Sequence, residues 1–266
     1  MSGRLALITG ASSGIGAAFA QLYASHGYDL AITARRVERL GAVADEVRLR
    51  YGVEILIIPA DLAKSDGVDG LLGEIAAHGR TVDVLVNNAG YGVPGSFTAA
   101  PWDEQQAFLK VLLMAVCELT HKVLPAMLDQ RFGRIVNVAS MAGLAPAAPG
   151  TVLYSAAKAF VVKFSQGVHL EARGAGVHVS ALCPGYTYTE FHDANGTRAA
   201  IAGNTQPWMW MGADEVAAAG YEAAEANRPI CVPGAPYKAA AALAKLLPED
   251  WGMALMARRA RGLASP

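Results

Sequence analysis

A doubly wound α/β fold on a parallel sheet is the class this chain predicts, and three observations carry it. Short apolar runs alternate with longer helix-period stretches along most of the sequence, the signature of βαβ units. A glycine-rich turn separates the first apolar run from the first helix. The residues with chemical potential then fall at the ends of apolar runs, where open sheets of this kind have their ligand crevice.

Leu5–Thr9 reads as the first strand and Ile15–His26 as the helix after the turn. The alternation continues with a strand at Asp29–Ala34, a helix at Arg36–Tyr51, a strand at Val53–Pro59 and a helix at Gly67–His78. Strand Val82–Asn87 leads to a long helix at Trp102–Leu128. Pro101 suits its first turn, and Pro125 should bend or end it one turn before its close. Strand Arg134–Ala139, helix Leu153–Arg173, strand His178–Cys183, helix Ala213–Ala226 and strand Pro229–Val232 follow, with one or two helices after Gly234. Right-handed crossovers between such strands produce a doubly wound sheet of about seven strands with helices on both faces.

Composition bounds the function. With 266 residues, 53% hydrophobic and 17% charged, the chain can bury a sizeable core, and residues 1–266 are expected to form one domain. A net charge of −1 argues against a nucleic-acid partner. Cys117, Cys183 and Cys231 lie far apart without CxxC or histidine spacing, so no metal site or disulfide framework is expected. His121, His169, His178 and His192 show no metal-ligand pattern either. No secretory signal is visible, and the apolar stretches read as too short or too interrupted to span a bilayer. A soluble, cytoplasmic protein without a membrane partner is the expectation, with the basic MARRARG segment a solvated helix end.

Tyr154 and Lys158, four residues apart in TVLYSAAKAF, share one helix face. A free phenol titrates near 10 and exchanges protons poorly at neutral pH, whereas a nearby cation favours its phenolate. At about 4 Å and an effective dielectric of about 20 the attraction is about 4 kcal/mol, at most about three pK units. The pair therefore predicts a lowered tyrosine pKa and general acid–base chemistry. Alone, the same spacing would describe an interfacial tyrosine beside a solvated lysine.

Gly10, Gly14 and Gly16 in LALITGASSGIG let the backbone turn tightly and approach a pyrophosphate near the positive end of the next helix. Such a turn also serves S-adenosylmethionine or simply caps a helix. The acidic residue that would bind an adenosine ribose at the end of the second strand is missing, and AITARRVERL offers Ala34, Arg35 and Arg36 instead. A guanidinium can grip a ribose 2′-phosphate, so NADP(H) is the expected cofactor and Arg35 its expected contact.

TGASSGIG at 9–16, NNAG at 87–90, Ser140 closing RIVNVAS, the Tyr154/Lys158 pair and the proline–glycine step at 184–185 occur in one order. In that order they resemble the short-chain dehydrogenase/reductases in their compact form, over roughly residues 4–190. The resemblance implies a Rossmann-type sheet ordered 3-2-1-4-5-6-7 and hydride transfer between nicotinamide and a small-molecule carbonyl or alcohol. It implies catalytic roles for Ser140, Tyr154 and Lys158. It also implies cofactor contacts at Gly10, Ser12, Ser13, Gly14, Ile15 and Gly16, at Arg35, at Asp61 and Leu62, and at Asn87, Ala89 and Gly90. Pro184, Gly185, Thr187 and Thr189 would lie towards the nicotinamide, and Tyr154 and Lys158 would touch cofactor as well as substrate.

Two departures stand out. The helix asparagine common in the family is replaced by Leu112, which cannot order a relay water and is expected simply to pack. The loop between Ser140 and Tyr154 looks one residue longer than usual, which could shift the serine. A sensor or partner protein that binds NADP(H) with weak or no catalysis is therefore a second reading. A methyltransferase is a third, but it has no use for the tyrosine–lysine pair. In this family the segment Glu190–Gly212 resembles a substrate lid. Trp208, Met209, Trp210 and Met211, with Tyr91, Tyr186, Tyr188 and Phe191, suggest an apolar substrate. Family members commonly pair the helices equivalent to Trp102–Leu128 and Leu153–Arg173 between subunits, so a homodimer or homotetramer is expected.

Overall fold

The computed structural model describes residues 3–93, 95–191, 203, 205–246, 248, 250–254 and 256–257. Seven parallel strands form one sheet in the order β3-β2-β1-β4-β5-β6-β7, as the resemblance implies. They are β1 Leu5–Thr9, β2 Asp29–Thr33, β3 Ile55–Ile57, β4 Val84–Asn87, β5 Gly133–Val138, β6 Val177–Leu182 and β7 Ile230–Cys231. All five residues of β1 and of β2 are buried, because helices cover both sheet faces and leave no side for polar residues.

The helices are α1 Gly14–Ser25, α2 Val37–Tyr51, α3 Gly67–Ala77, α4 Trp102–Leu109, α5 Ala115–Asp129, α6 Val152–Glu171, α7 Ala213–Glu225 and α8 Ala235–Leu246. On one face Phe19, Tyr23, Leu40 and Val216 pack against Ile8, Ile32 and Val86. On the other, Leu71, Phe108, Leu119 and Met127 cover Leu7, Leu85, Ile135 and Val179. Because β1 pairs with β2 on one side and β4 on the other, the strand order reverses between β1 and β4, and a crevice opens beyond their carboxyl ends.

Three expectations need correction. The outer strands are shorter than their apolar runs, with β3 at three residues and β7 at two. An edge strand has a ladder on one side only, and apolar periodicity does not report how far that ladder extends. The long fourth helix spans the expected residues but is not uniformly α-helical: a π-helical turn at Lys110–Met114 joins α4 to α5, while Pro125 sits inside α5, one turn before its end. Finally, Trp102–Asp129, 28 residues long, is long and apolar enough to cross a bilayer by length and composition, with a mean hydropathy of 1.6 over an 18-residue window. Here its buried side, including Phe108, Leu112, Leu119 and Met127, packs on the sheet, which gives that apolar content a structural use.

Candidate active site

The turn after β1 depends on glycine at named atoms. Gly10 and Gly14 have φ of 66° and 57°, in the left-handed region that side chains disfavour. A Cβ on Gly16 would stand 2.3 Å from the Gly10 carbonyl oxygen, and one on Gly10 would stand 2.8 Å from the Ala89 Cα. Asn88 and Thr9 lock this arrangement across the β1–β4 reversal. The Asn88 amide donates to the carbonyls of Thr9 (2.9 Å) and Gly10 (3.2 Å). The Thr9 hydroxyl accepts from the backbone N–H of Asn88 (2.9 Å) and Ala89 (3.0 Å). Neither residue was singled out from the sequence, although a tandem asparagine after one strand and a threonine before the turn were available signals. Ser13 makes no side-chain cap on α1, and no acidic residue lies in its first turn, so amide donors there remain for an anion.

The two arginines after β2 diverge. The Arg35 guanidinium lies 5.7 Å from the centre of the Tyr91 ring. Arg36 turns back onto the glycine turn, donating to Ser12 Oγ (3.0 Å) and Ser13 Oγ (2.8 Å), and it pairs with Glu190. Asp61 accepts from the Ala63 N–H (3.0 Å) beside buried Leu62 at the end of the third strand's loop.

Ser140, Tyr154 and Lys158 converge where β5 meets α6. Ser140 Oγ accepts from the Ala142 N–H (3.1 Å) and stands close enough to the Tyr154 phenol to draw its pKa down. The Lys158 Nζ donates to the Val138 carbonyl (2.7 Å) and lies 5.8 Å from the centre of the Tyr154 ring. The tyrosine pKa, expected to fall, is raised: burial pushes it up, and the Ser140 hydroxyl draws it only partly back. Burial likewise lowers Lys158 to about 8, opposed by Cys183. Desolvation, which counts against charge on either group, outweighs the attraction between them here.

Asn87 turns inward. Its amide donates to Asn137 Oδ1 (2.8 Å) and Thr120 Oγ1 (3.3 Å), and Asn137 donates to Ser165 Oγ (2.9 Å). This buried chain braces β4, β5, α5 and α6 behind Ser140, Tyr154 and Lys158, and the Asn87 Oδ1 stays buried without a partner. Leu112, 1% exposed, sits in the π-helical turn, and its side chain lies 3.7 Å from where a Cβ on Gly90 would be, as packing predicts.

Beyond β6 the chain is held by a residue the sequence did not single out. Tyr237 of α8 lays its ring on Gly185, where a Cβ would come within 1.9 Å of it. Its hydroxyl accepts from the Tyr186 N–H (3.0 Å) and donates to the Met209 carbonyl (2.6 Å). Thr187 bridges to Met211, and Trp210 stacks against both Tyr186 and Tyr188 at 5.4 and 5.0 Å. Thr187 is buried and donates to the Gly185 carbonyl (3.2 Å), and the Met141 N–H donates to Pro184. Thr189 lies over Gly14, and the Phe191 ring is 5.8 Å from Tyr154. Trp208 is exposed. His192 and Gly196 lie outside the described residues. A recess beside Tyr154 is walled by Val93, Phe97, Phe108, Val152 and Leu153. Among the described residues no three metal-ligating side chains converge.

These residues fit a dinucleotide: a turn too tight for side chains, open amides at α1 and a buried ammonium with two further donors. A family model for short chain dehydrogenases matches residues 4–199. The chain belongs to the short-chain dehydrogenase family. This dehydrogenase is 38% identical over 192 residues to the very-long-chain 3-oxoacyl-CoA reductase of Anas platyrhynchos, covering 71% of its own chain and 61% of that protein's length. Its fold matches a short-chain dehydrogenase from Sphingobium yanoikuyae in complex with NADPH (TM-score 0.79, 29% identity, 99% and 96% of the two chains). It also matches a short-chain dehydrogenase/reductase from Burkholderia phymatum in complex with NAD (TM-score 0.79, 29% identity, 91% and 92%). The chain thus falls in an oxidoreductase family, spanning about three fifths of the length of the curated reductase it matches.

Proposed function

We propose that this dehydrogenase interconverts a hydrophobic carbonyl compound and its alcohol with NADP(H), and that reduction is favoured near neutral pH. The observation that carries this reading is the convergence of half-buried Ser140 and Tyr154 with buried Lys158 beside the glycine-turn crevice. NADPH, when bound, supplies the hydride. The glycine turn and the α1 terminus would take its pyrophosphate, Arg35 its 2′-phosphate, and the two remaining Lys158 donors its ribose hydroxyls. Ser140 donates a hydrogen bond to the substrate oxygen, and Tyr154 hands that oxygen its phenolic proton. Because burial raises the Tyr154 pKa, the proton is in place at neutral pH, and Lys158 stabilises the phenolate left behind. The apolar recess and the rings of Phe191, Tyr186 and Trp210 support a hydrophobic substrate.

NADPH absorbance across aryl, alicyclic and long-chain ketones and aldehydes tests the reading, with NADP⁺ reduction across the matching alcohols. Activity on free sugars but not on these ketones would overturn the substrate class. Leu112 at a position usually polar favours the second, sensor reading, which tight NADPH binding without turnover in either panel would establish. For the cofactor, Arg35→Ala should raise the KM for NADPH about tenfold, the scale of one lost charge-assisted bond, and leave NADH within about twofold. Equal losses with both would remove Arg35 from the 2′-phosphate.

The dehydrogenase is also proposed to assemble through the outer faces of the π-helical turn and α6. Met114, Val152, Phe160 and Leu170 are exposed there at 62%, 47%, 43% and 64%, and Phe160 stacks on Phe164. Sedimentation should give a dimer or tetramer that Phe160→Lys shifts towards monomer; a monomeric parent protein would refute this.

A further inference from the structure

An anion site stands at the adenosine side of the glycine turn, and it is occupied by the chain itself. The Glu190 carboxylate pairs with Arg36 Nη1 (2.9 Å) and with Arg39, whose helix α2 begins just before it. Arg36 Nη2 reaches Ser12 and Ser13 at 3.0 and 2.8 Å, so one guanidinium ties the turn to a residue 154 positions away. The preceding residue, Thr189, lies directly over Gly14. This placement sets Glu190 beside the path of a bound dinucleotide rather than on a remote surface. The two arginines hold its carboxyl below the usual carboxylate range, so it is charged at neutral pH. The side chains of Arg36, Arg39 and Glu190 are 48%, 50% and 42% exposed, so the pair is screened and exchangeable.

Two guanidinium groups on one carboxylate, one of them anchored to the Ser12 and Ser13 hydroxyls, would suit a phosphate at least as well, since a phosphate carries more charge and more acceptor oxygens. We propose that Glu190 is a specificity-determining residue: its carboxylate neutralises the Arg36–Arg39 pair, so a 2′-phosphate gains those two arginines only by displacing it, while a cofactor lacking that phosphate meets no such competition. This deepens the NADP(H) reading above and rests on it. Arg35, whose guanidinium lies over the Tyr91 ring, is outside this pair and left to the phosphate, so Glu190 would hold the preference for NADP(H) below what three neighbouring arginines would give.

Adenosine-end fragments isolate the effect because they never reach Tyr154 or the nicotinamide end. Binding of 2′,5′-ADP and 5′-AMP to the purified full chain is measured by calorimetry at low salt, for the parent protein, Glu190→Gln, Arg36→Ala and the double variant. Glu190→Gln should tighten 2′,5′-ADP about fivefold, the upper range of what an exposed ion pair withholds, and leave 5′-AMP within about 1.5-fold. In the Arg36→Ala background that gain should shrink to less than twofold. If the parent protein prefers 2′,5′-ADP but Glu190→Gln changes nothing, tightens both fragments alike or weakens the diphosphate, Glu190 is an ordinary surface ion pair and the inference fails. If 2′,5′-ADP binds no better than 5′-AMP in the parent protein and in Glu190→Gln, the NADP(H) reading itself fails.

Discussion

Replacing Tyr154 with phenylalanine is expected to lower turnover about a thousandfold while leaving NADPH affinity within about twofold, since general acid catalysis contributes about 10²–10⁴. The ring contact with Phe191 survives the change, and what disappears is a half-buried hydroxyl and at most one hydrogen bond. Stability should therefore move by less than about 1.5 kcal/mol, the net worth of one hydrogen bond, so the loss of rate cannot be assigned to unfolding. Stopped-flow oxidation of bound NADPH separates the chemical step from binding. A rate within tenfold of the parent would remove Tyr154 from proton transfer. The raised pKa adds a second reading of the same residue: the rate of carbonyl reduction should hold through neutral pH and fall only in alkali. A decline centred near pH 7 would show that the lysine, not burial, dominates the phenol.

Lys158→Met should lose at least a hundredfold in turnover and yet stabilise the cofactor-free protein. Burial lowers the ammonium from 10.5 to about 8. The unfolded chain therefore binds a proton that the folded chain releases between those values, so stability rises with pH from about 8 to 10.5. Below pH 8 the full penalty applies, at about 1.4 kcal/mol per unit or about 3 kcal/mol as an upper figure. Methionine removes that penalty but leaves the Val138 carbonyl without its donor, at about 1 kcal/mol, so a net gain of about 2 kcal/mol is expected at pH 7. Urea unfolding at pH 7 and pH 10 checks both signs. The parent protein should become more stable at the higher pH through this group, and the Met variant should lack that increment. A methionine variant less stable than its parent at pH 7 would show that the ammonium is well solvated in the folded state. A group that costs folding energy and sits beside the phenol is what a site retained for chemistry looks like.

Much of this site was open to a reader of the sequence because its parts are local. The spacing of Tyr154 and Lys158 needs only helix geometry, and the glycines of 10–16 need only a strand followed by a turn. The strand order came through the resemblance, since periodicity says which segments are strands but not which are neighbours. Tyr237 was invisible for the same reason: an alanine-rich tail carries no mark of the loop on which its tyrosine lies. The π-helical turn at Lys110–Met114 was hidden because its residues continue the apolar pattern of the helices on either side.

The sequence by itself determined which segments become strands and helices, where the turn must be glycine, and that Tyr154 and Lys158 share one helix face, because each depends on residues close along the chain. Only the tertiary structure decided the sign of the Tyr154 shift, the inward turn of Asn87 and the pairing of Glu190 with Arg36 and Arg39. The physical reason is that desolvation and charge pairing are set by what surrounds a group in space. Glu190 and Arg36 are 154 residues apart until the sheet brings the ends of β2 and β6 to one crevice.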